Sequence, residues 1–411
     1  MPNGPGWTGA QRDVVIACFL GWMLDAFDFF LVIFVVPRLA SDFGTDVRGV
    51  TWAITLTLMM RPIGALLFGR AADRYGRRPA LMASIAIYSV LECASAFSPS
   101  LTVFIALRAL YGIAMGGEWG VGASLAFESV PVSSRGWISG VLQAGYPAGY
   151  LVAAVVYGLA YEHIGWRGMF IVGALPALLV LFIWRRVPES QPVSARSTFS
   201  WRSLGRHWPL AFYAIALMTA FNFFSHGTQD LYPTLLQRQR GFSTHATSII
   251  AVVYNVGAIC GGLFFGRLSG VIGRRRAIAL AAALALLVVP FWALAQHAVP
   301  VAVAAFVMQF MVQGAWGVVP VHLNELSPAG MRATFPGVVY QVGNLIASSN
   351  ATLQASFAMN VGGAAHPNYA FALAVVCAVT ALALLILALA GPERRGVSLG
   401  FAVDGPGAPQ P

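Results

Sequence analysis

Long apolar runs separated by short polar breaks fill most of this chain. Twelve runs can be drawn, at about 14–36, 50–69, 80–97, 101–125, 137–160, 168–185, 209–231, 244–266, 277–296, 299–323, 335–359 and 369–390. A helix of this length crosses about 30 Å of hydrocarbon, so each run is a predicted membrane span. The longest internal polar stretch, 186–208, carries Arg186, Arg196, Arg202 and Arg206 and divides the spans six and six. The pattern predicts an N-terminal arm (1–13), a first six-helix bundle (14–185), a linker (186–208), a second bundle (209–390) and a tail (391–411) of loop-forming, disorder-prone composition.

The two halves repeat. Gly69-Arg-Ala-Ala-Asp73-Arg74-Tyr-Gly76-Arg77-Arg78 is echoed by Gly266-Arg-Leu-Ser-Gly270-Val-Ile-Gly273-Arg274-Arg275, and Glu128, Pro131 and Arg135 by Glu325, Pro328 and Arg332. Gly117-Glu-Trp119-Gly maps onto Gly314-Ala-Trp316-Gly, and every pair is offset by 197 residues. A gapless offset across separated motifs predicts an all-α membrane protein of twelve transmembrane helices in two equivalent six-helix bundles, with a site between them near the midplane.

Composition agrees: 58% of residues are hydrophobic, 10% are charged, and the mean hydropathy is +0.72. That excludes an ordinary soluble enzyme. The net charge of +10 suggests nucleic acid until the charges are placed. All 25 basic residues are Arg: 18 fall in breaks on one side, five on the other (Arg38, Arg48, Arg167, Arg238, Arg240), and Arg61 and Arg108 lie inside spans. This is the positive-inside pattern, so the arginine-rich side and both termini are expected in the cytoplasm, with the chain in a cell (inner) membrane. Cys18, Cys93, Cys260 and Cys377 are scattered, with no metal-ligand spacing. No cofactor-binding or nucleophile–base pattern stands out, so no enzyme, metal, cofactor or nucleic-acid partner is expected. The first run holds Asp25 and Asp28 and lacks a small-residue cleavage site, which predicts a retained helix.

The seventh run carries the densest polar face. At about 100° per residue, Asn222, Ser225, His226, Gln229 and Asp230 share one side of a helix, with Thr228 and Thr234 off it. Such a face must look at protein or water. The offset sets Asp25 against Asn222 and Asp28 against Ser225, so the first and seventh helices present polarity at one depth. Further buried polar candidates are Arg61 in the second run, Arg108 and Glu118 in the fourth, Gln143 and Tyr146 in the fifth, and Gln341 and Asn344, three apart, in the eleventh. Glu92 suggests a peripheral structural group, His322 a satisfied structural histidine, and Asn255, Gln309 and Gln313 interhelical hydrogen-bonding. The aromatic residues suggest mainly lipid-facing and interfacial positions.

Two strings carry a family resemblance. Gly69-x-x-x-Asp73-Arg74-x-Gly76-Arg77-Arg78 resembles the loop signature of the major facilitator superfamily, over about residues 14–390. Residues 222–234 resemble, at every fixed position, the N-x-x-[ST]-H-x-[ST]-Q-D-x-x-x-T pattern of its lactate/pyruvate:proton symporters, carboxylate permeases of the sialate:proton symporter group. Arg108-x-x-x-Gly112-x-x-x-Gly116-Gly117 is similar to a pattern of proton-coupled members. The resemblance implies a gate in which Asp73, Arg74, Arg77 and Arg78 latch the cytoplasmic ends, the acid and the arginines pairing and meeting a helix C-terminus. It also implies substrate affinity from Gln341 and Asn344.

The expected function is import of a short monocarboxylate with a proton, by a monomer in the bilayer. Arg61 is the expected carboxylate partner, since a guanidinium grips a carboxylate by two parallel hydrogen bonds. Asn222, Ser225, His226, Gln229, Gln341, Asn344, Gln143 and Tyr146 are expected to contact substrate. The proton is expected on Asp25 or Asp28, on Glu118 poised by Arg108, or on a His226–Asp230 relay. Other readings are a symporter for sialate, a dicarboxylate or an aromatic acid, and a proton antiporter. Antiport fits less well because Gly145-Tyr-Pro147 departs from the Gly-Pro usual in that class. A membrane sensor of this fold is expected to carry an added soluble domain.

Overall fold

A computed structural model describes residues 7–45, 47–189, 205–363 and 366–399, and every regular element among them is helical. The helices are α1 (Gly9–Asp42), α2 (Val47–Tyr75), α3 (Arg77–Ala96), α4 in two pieces (Leu101–Gly116 and Glu118–Ser129), α7 (Trp208–Gln229), α8 (Thr244–Ile272), α9 (Arg274–Leu294), α10 in two pieces (Ala298–Trp316 and Val319–Leu326), α11 in two pieces (Thr334–Ala347 and Asn350–Gly362) and α12 (Tyr369–Ala390). The fifth and sixth spans form one stretch of 55 residues, Val132–Arg186. Unbroken, it would reach about 80 Å, far beyond a bilayer core. Gly165, at φ 62°, breaks it into α5 (135–164) and α6, itself in two pieces (166–172 and Pro176–Arg186). By length and apolarity ten described stretches can cross a membrane. Dividing that one and adding the interrupted α11 makes twelve.

Local chemistry sets the ends. Thr8 and Gln11 form a capping box at the start of α1. Ser100, Ser243 and Asn368 accept from the first turns of α4, α8 and α12. α1 and α2 run well past the apolar stretches expected for them, because an apolar run reports hydrocarbon thickness whereas the helix continues into the interface. Large apolar side chains such as Leu159 (75%), Val299 (74%) and Phe291 (73%) face outward, as they would toward lipid.

The 197-residue repeat is visible in space. Gly76 and Gly273 hold the same turn at φ 117° and 99°. Arg77 pairs with Glu128 at 2.9 Å, and Arg274 with Glu325 at 2.9 Å. Gly64 packs on the backbone of Ile113, as Gly261 does on Phe310. Gly117 packs on Phe68, as Gly314 does on Phe265. Buried arginine–carboxylate pairs and glycine contacts recur because each half solves the same packing problem.

The halves close on each other at the arginine-rich end. Asp73 accepts from Ala333 N (3.1 Å), Thr334 N (3.0 Å) and Thr334 Oγ1 (2.6 Å), and pairs with Arg77 at 3.1 Å. This amends the expected latch. Arg77 does meet a helix C-terminus, donating to Ala72 O at 2.8 Å, but the acid bonds the N-terminus of α11 in the opposite half. There the exposed N–H groups and the helix dipole favour an anion. Arg74 stacks on Tyr75, and Arg78 donates to Trp184 O, within the first half. Gly69 abuts Thr334, Gly120 abuts Gly337, and Gly140 abuts Gly262, contacts with no room for a Cβ. Val321 N donates to Ser139 Oγ at 3.2 Å across the same interface.

Residues 391–399 also depart from expectation. They dock at this end: Arg135 donates to Val397 O, Arg332 to Ser398 O, and Leu399 joins the first half's core. Loop-rich composition did not reveal these buried and half-buried partners. Arg196 and Arg202 of the linker, and the tail beyond Leu399, lie outside the described residues.

Candidate functional site

Away from the closed end the halves part around a cavity of about 440 Å³. That falls within the range of small-molecule sites, about 300–1,000 Å³. Asn222, Ser225, His226 and Gln229 of α7, with Asp230 at its C-cap, all line it, as the helical arc requires. Gln143 and Tyr146 of α5 line the facing side, and Asn344 of α11 completes the set. Along α1 the wall runs from Trp22 to Phe34, about 18 Å at a helical rise.

The α7 face is held by its neighbours. Gln313 donates to Ser225 Oγ (3.1 Å), Gln229 to Gln309 Oε1 (2.8 Å), and Gln309 to Thr228 Oγ1 (2.9 Å). Gln309 and Gln313 thus join α7 to α10, as interhelical bonds should. Gln313 and Asn255 additionally line the cavity, beyond the structural part expected of them. His226 lies between two partners, with Nδ1 3.1 Å from Asp230 Oδ1 and Nε2 3.4 Å from Asn344 Oδ1. Asn222 donates to Met218 O of its own helix. Gln341 is buried beside the cavity, outside its lining, with Oε1 lacking a partner.

The base of the cavity is aromatic. Tyr340 packs against Trp22, Trp119 and Trp316 at ring separations of 6.3, 4.6 and 5.7 Å, and Trp22 stacks on Tyr146 at 5.6 Å. Trp119 and Trp316 are repeat mates, so each half supplies one plate to a shared floor. These rings were expected to face mainly lipid. The repeated Gly-x-Trp-Gly string was the available signal that two of them come to the centre, each against Tyr340.

Behind the α1 wall lies a cluster of buried charge, entirely in the first half. Arg61 pairs with Asp25 at 3.0 Å, and Arg108 with Glu92 at 2.7 Å. Arg108 also donates to Ser95 Oγ (2.7 Å) and sits 4.1 Å over Tyr111. Two findings correct the expectations. Arg108 is engaged with Glu92 and does not pair with Glu118, because the two point from different turns of a helix interrupted at Gly117. Glu92, fully buried, is that arginine's counter-ion and not a peripheral group. Among the described residues, neither oxygen of Asp28, nor Glu118 Oε2, has a hydrogen-bond partner. Four buried acids therefore share two arginines, and Asp28 and Glu118 go without.

Arg61 is not on the cavity wall. It is 4% exposed, and its guanidinium stands 5.7 Å behind the ring of Phe29, which does line the cavity together with Leu58 of α2. One nitrogen serves Asp25, while Nε has no partner. His322 also departs from expectation: it is buried, and neither ring nitrogen has a partner among the described residues. Its helix, Val319–Leu326, is buried along its whole length.

Two bundles joined at one end, a polar cavity between them and buried charge beside it define a membrane transporter. The chain belongs to the Major Facilitator Superfamily, whose family model matches residues 18–351. It is 30% identical to the sialic acid transporter NanX of Escherichia coli over 81% of this chain and 84% of that one. It is also 30% identical to a carboxylic acid transporter protein homolog of Saccharomyces cerevisiae, over 83% of this chain but only 60% of the yeast protein. Among solved structures it resembles the proton:xylose symporter XylE (TM-score 0.76, 18% identity, 95% of this chain and 98% of that chain).

Proposed function

We propose that this protein is a proton-coupled symporter of organic acids, with short monocarboxylates such as lactate and pyruvate as its substrates. The observation that carries the reading is Arg61, paired with Asp25 through one nitrogen, a single side-chain layer behind the cavity. The names of the two relatives, which concern carboxylic and sialic acids, support the acid class. The α7 string supports the short monocarboxylate.

The chemistry runs as a competition. Once the Phe29 ring turns aside, a carboxylate in the cavity and Asp25 compete for the same guanidinium. A proton on Asp25 removes the competitor, so anion and proton bind together or not at all. Coupling also cancels the cost of carrying an anion against the membrane potential, about 2.3 kcal/mol per 100 mV. His226, Gln229 and Asn344 offer hydrogen bonds to a 2-hydroxyl or 2-keto oxygen. Asp28, buried with both oxygens unpartnered, holds a proton at far less cost than a charge. With the arginine-rich end in the cytoplasm, the present arrangement is the outward-open state. Closing the outer end and parting Asp73 from Thr334 would deliver substrate inward.

A second reading is favoured by the cavity itself. Its volume exceeds what lactate fills, and Trp22, Tyr146, Tyr340 and Trp316 offer flat surfaces suited to an aromatic or larger acid. A competition panel against labelled lactate exchange in proteoliposomes separates the two. Stronger inhibition by pyruvate than by benzoate or sialate supports the short monocarboxylate. The reverse order moves the substrate to the larger class.

A further inference from the structure

Glu118 stands apart from the large cavity, yet it is buried, acidic and without a partner on Oε2. It faces a second cavity of about 10 Å³, lined by Cys18, Trp22, Trp119, Gly122, Leu142 and Pro320. That is close to the space one water needs. Trp22 and Trp119 divide this chamber from the large cavity, so it lies beneath the aromatic floor. Its wall on the other half is Pro320, at the start of the inner piece of α10. The chamber is thus sealed by the bundle that moves away when the arginine-rich end opens.

Glu118 is also in line with the other acids. Gly21, Asp25 and Asp28 fall at i, i+4 and i+7 on one stripe of α1. A Cβ at Gly21 would lie 2.5 Å from Glu118 Oε1, so the glycine makes room for this carboxylate one turn below Asp25. The three acids form a ladder about 10 Å long across the first half.

We propose that Glu118 is the inner proton-release group, receiving the transported proton from Asp25 and passing it to water on the arginine-rich side. The inference rests on the symport reading. When Pro320 withdraws, the chamber floods, and Glu118 gives its proton to water and becomes a carboxylate. The O–H bond of Asp25 then breaks as a new O–H bond forms on Glu118, directly or through the chamber water. Asp25, again an anion, recaptures Arg61 and expels the substrate carboxylate. One proton enters per cycle, and Glu118 ends protonated, as it began. The ionisable groups around Glu118 are Asp25 and Cys18 from α1, Arg61 from α2 and Tyr88 from α3. The residues facing it from α5, α6 and α10 are Leu142, Leu179 and Pro320, none of them ionisable.

The test follows labelled lactate and an internal pH dye together in proteoliposomes. Wild-type protein without coupled proton entry removes the symport reading, and this inference with it. If the wild type couples, Glu118→Gln is expected to cut gradient-driven accumulation and proton entry by about 100-fold. Lactate exchange, in which one lactate replaces another while Asp25 keeps its proton, should fall far less than accumulation in that variant, and Glu118→Asp should restore part of the coupling. Normal coupled uptake by Glu118→Gln overturns the inference while leaving symport standing. A second measurement covers a variant that fails to fold. With Cys93, Cys260 and Cys377 replaced by serine, Cys18 should react with a small thiosulfonate reagent when Asp73→Ala opens the arginine-rich end. A Cys18 thiol that stays unreactive there, while spin labels report opening, overturns the inference as well.

Discussion

Asp73 offers a direct handle on the balance between the two end states. Its carboxylate takes three hydrogen bonds from the first turn of α11, at 3.1, 3.0 and 2.6 Å, while buried to 4% exposure. All three donors belong to the opposite half, so the bonds exist only while the arginine-rich end is shut. When it opens, water replaces them for the wild type. Asp73→Ala therefore destabilises the closed end and leaves the open one nearly untouched. A hydrogen bond to a charged group contributes about 1.5–3 kcal/mol. The lower figure, for one bond alone, already shifts the equilibrium by roughly tenfold, since about 1.4 kcal/mol is tenfold. Arg77 keeps Glu128 at 2.9 Å, so the first half retains its own inner pairing and should still fold. Spin labels at Val132→Cys and Val271→Cys, exposed residues at that end of the two halves, report the change by pulsed electron resonance. The wild type should give a short-distance population, and Asp73→Ala a predominantly longer one. Indistinguishable distance distributions would refute the reasoning that these bonds hold the end shut.

Three further outcomes follow from the same geometry. Arg61→Ala should abolish saturable lactate binding by isothermal calorimetry, and Arg61→Lys should recover little because an ammonium lacks the planar fork. Asp25→Asn, which removes the competitor for Arg61 for good, should lose proton-driven accumulation in vesicles while retaining counterflow, and normal accumulation would move the proton site away from Asp25. Gly140→Val, at a crossing where α5 meets Gly262 of α8 with no space for a Cβ, should raise the fraction open at the arginine-rich end in the same spin-label measurement.

What the chain discloses by itself depends on the kind of question. The face of α7 was legible because helical periodicity fixes which side chains share a side, and all five of its residues do line the cavity. The duplication was legible because a constant offset survives in sequence and reappears as Arg77–Glu128 beside Arg274–Glu325. Pairings between helices were not. Arg108 has Glu118 on its own helix and Glu92 on the neighbouring one, and spacing along a helix does not say which is reached. The same blindness hid Asp73 on the N-terminus of α11. Nor did the sequence reveal that the guanidinium of Arg61, the expected carboxylate partner, lies behind Phe29. Aromatic composition was misleading for another reason: lipid-facing and cavity-lining rings are chemically alike. Only the repeated tryptophans carry information about which are central.

The central claim is that one organic anion and one proton travel together. Purified protein in liposomes, with labelled lactate outside and an inward acid gradient imposed under potassium–valinomycin clamp, measures this most directly. The account predicts accumulation above equilibrium that vanishes when the pH gradient is collapsed and is indifferent to the clamped potential. Accumulation that survives collapse of the gradient, or that follows the potential alone, would contradict it.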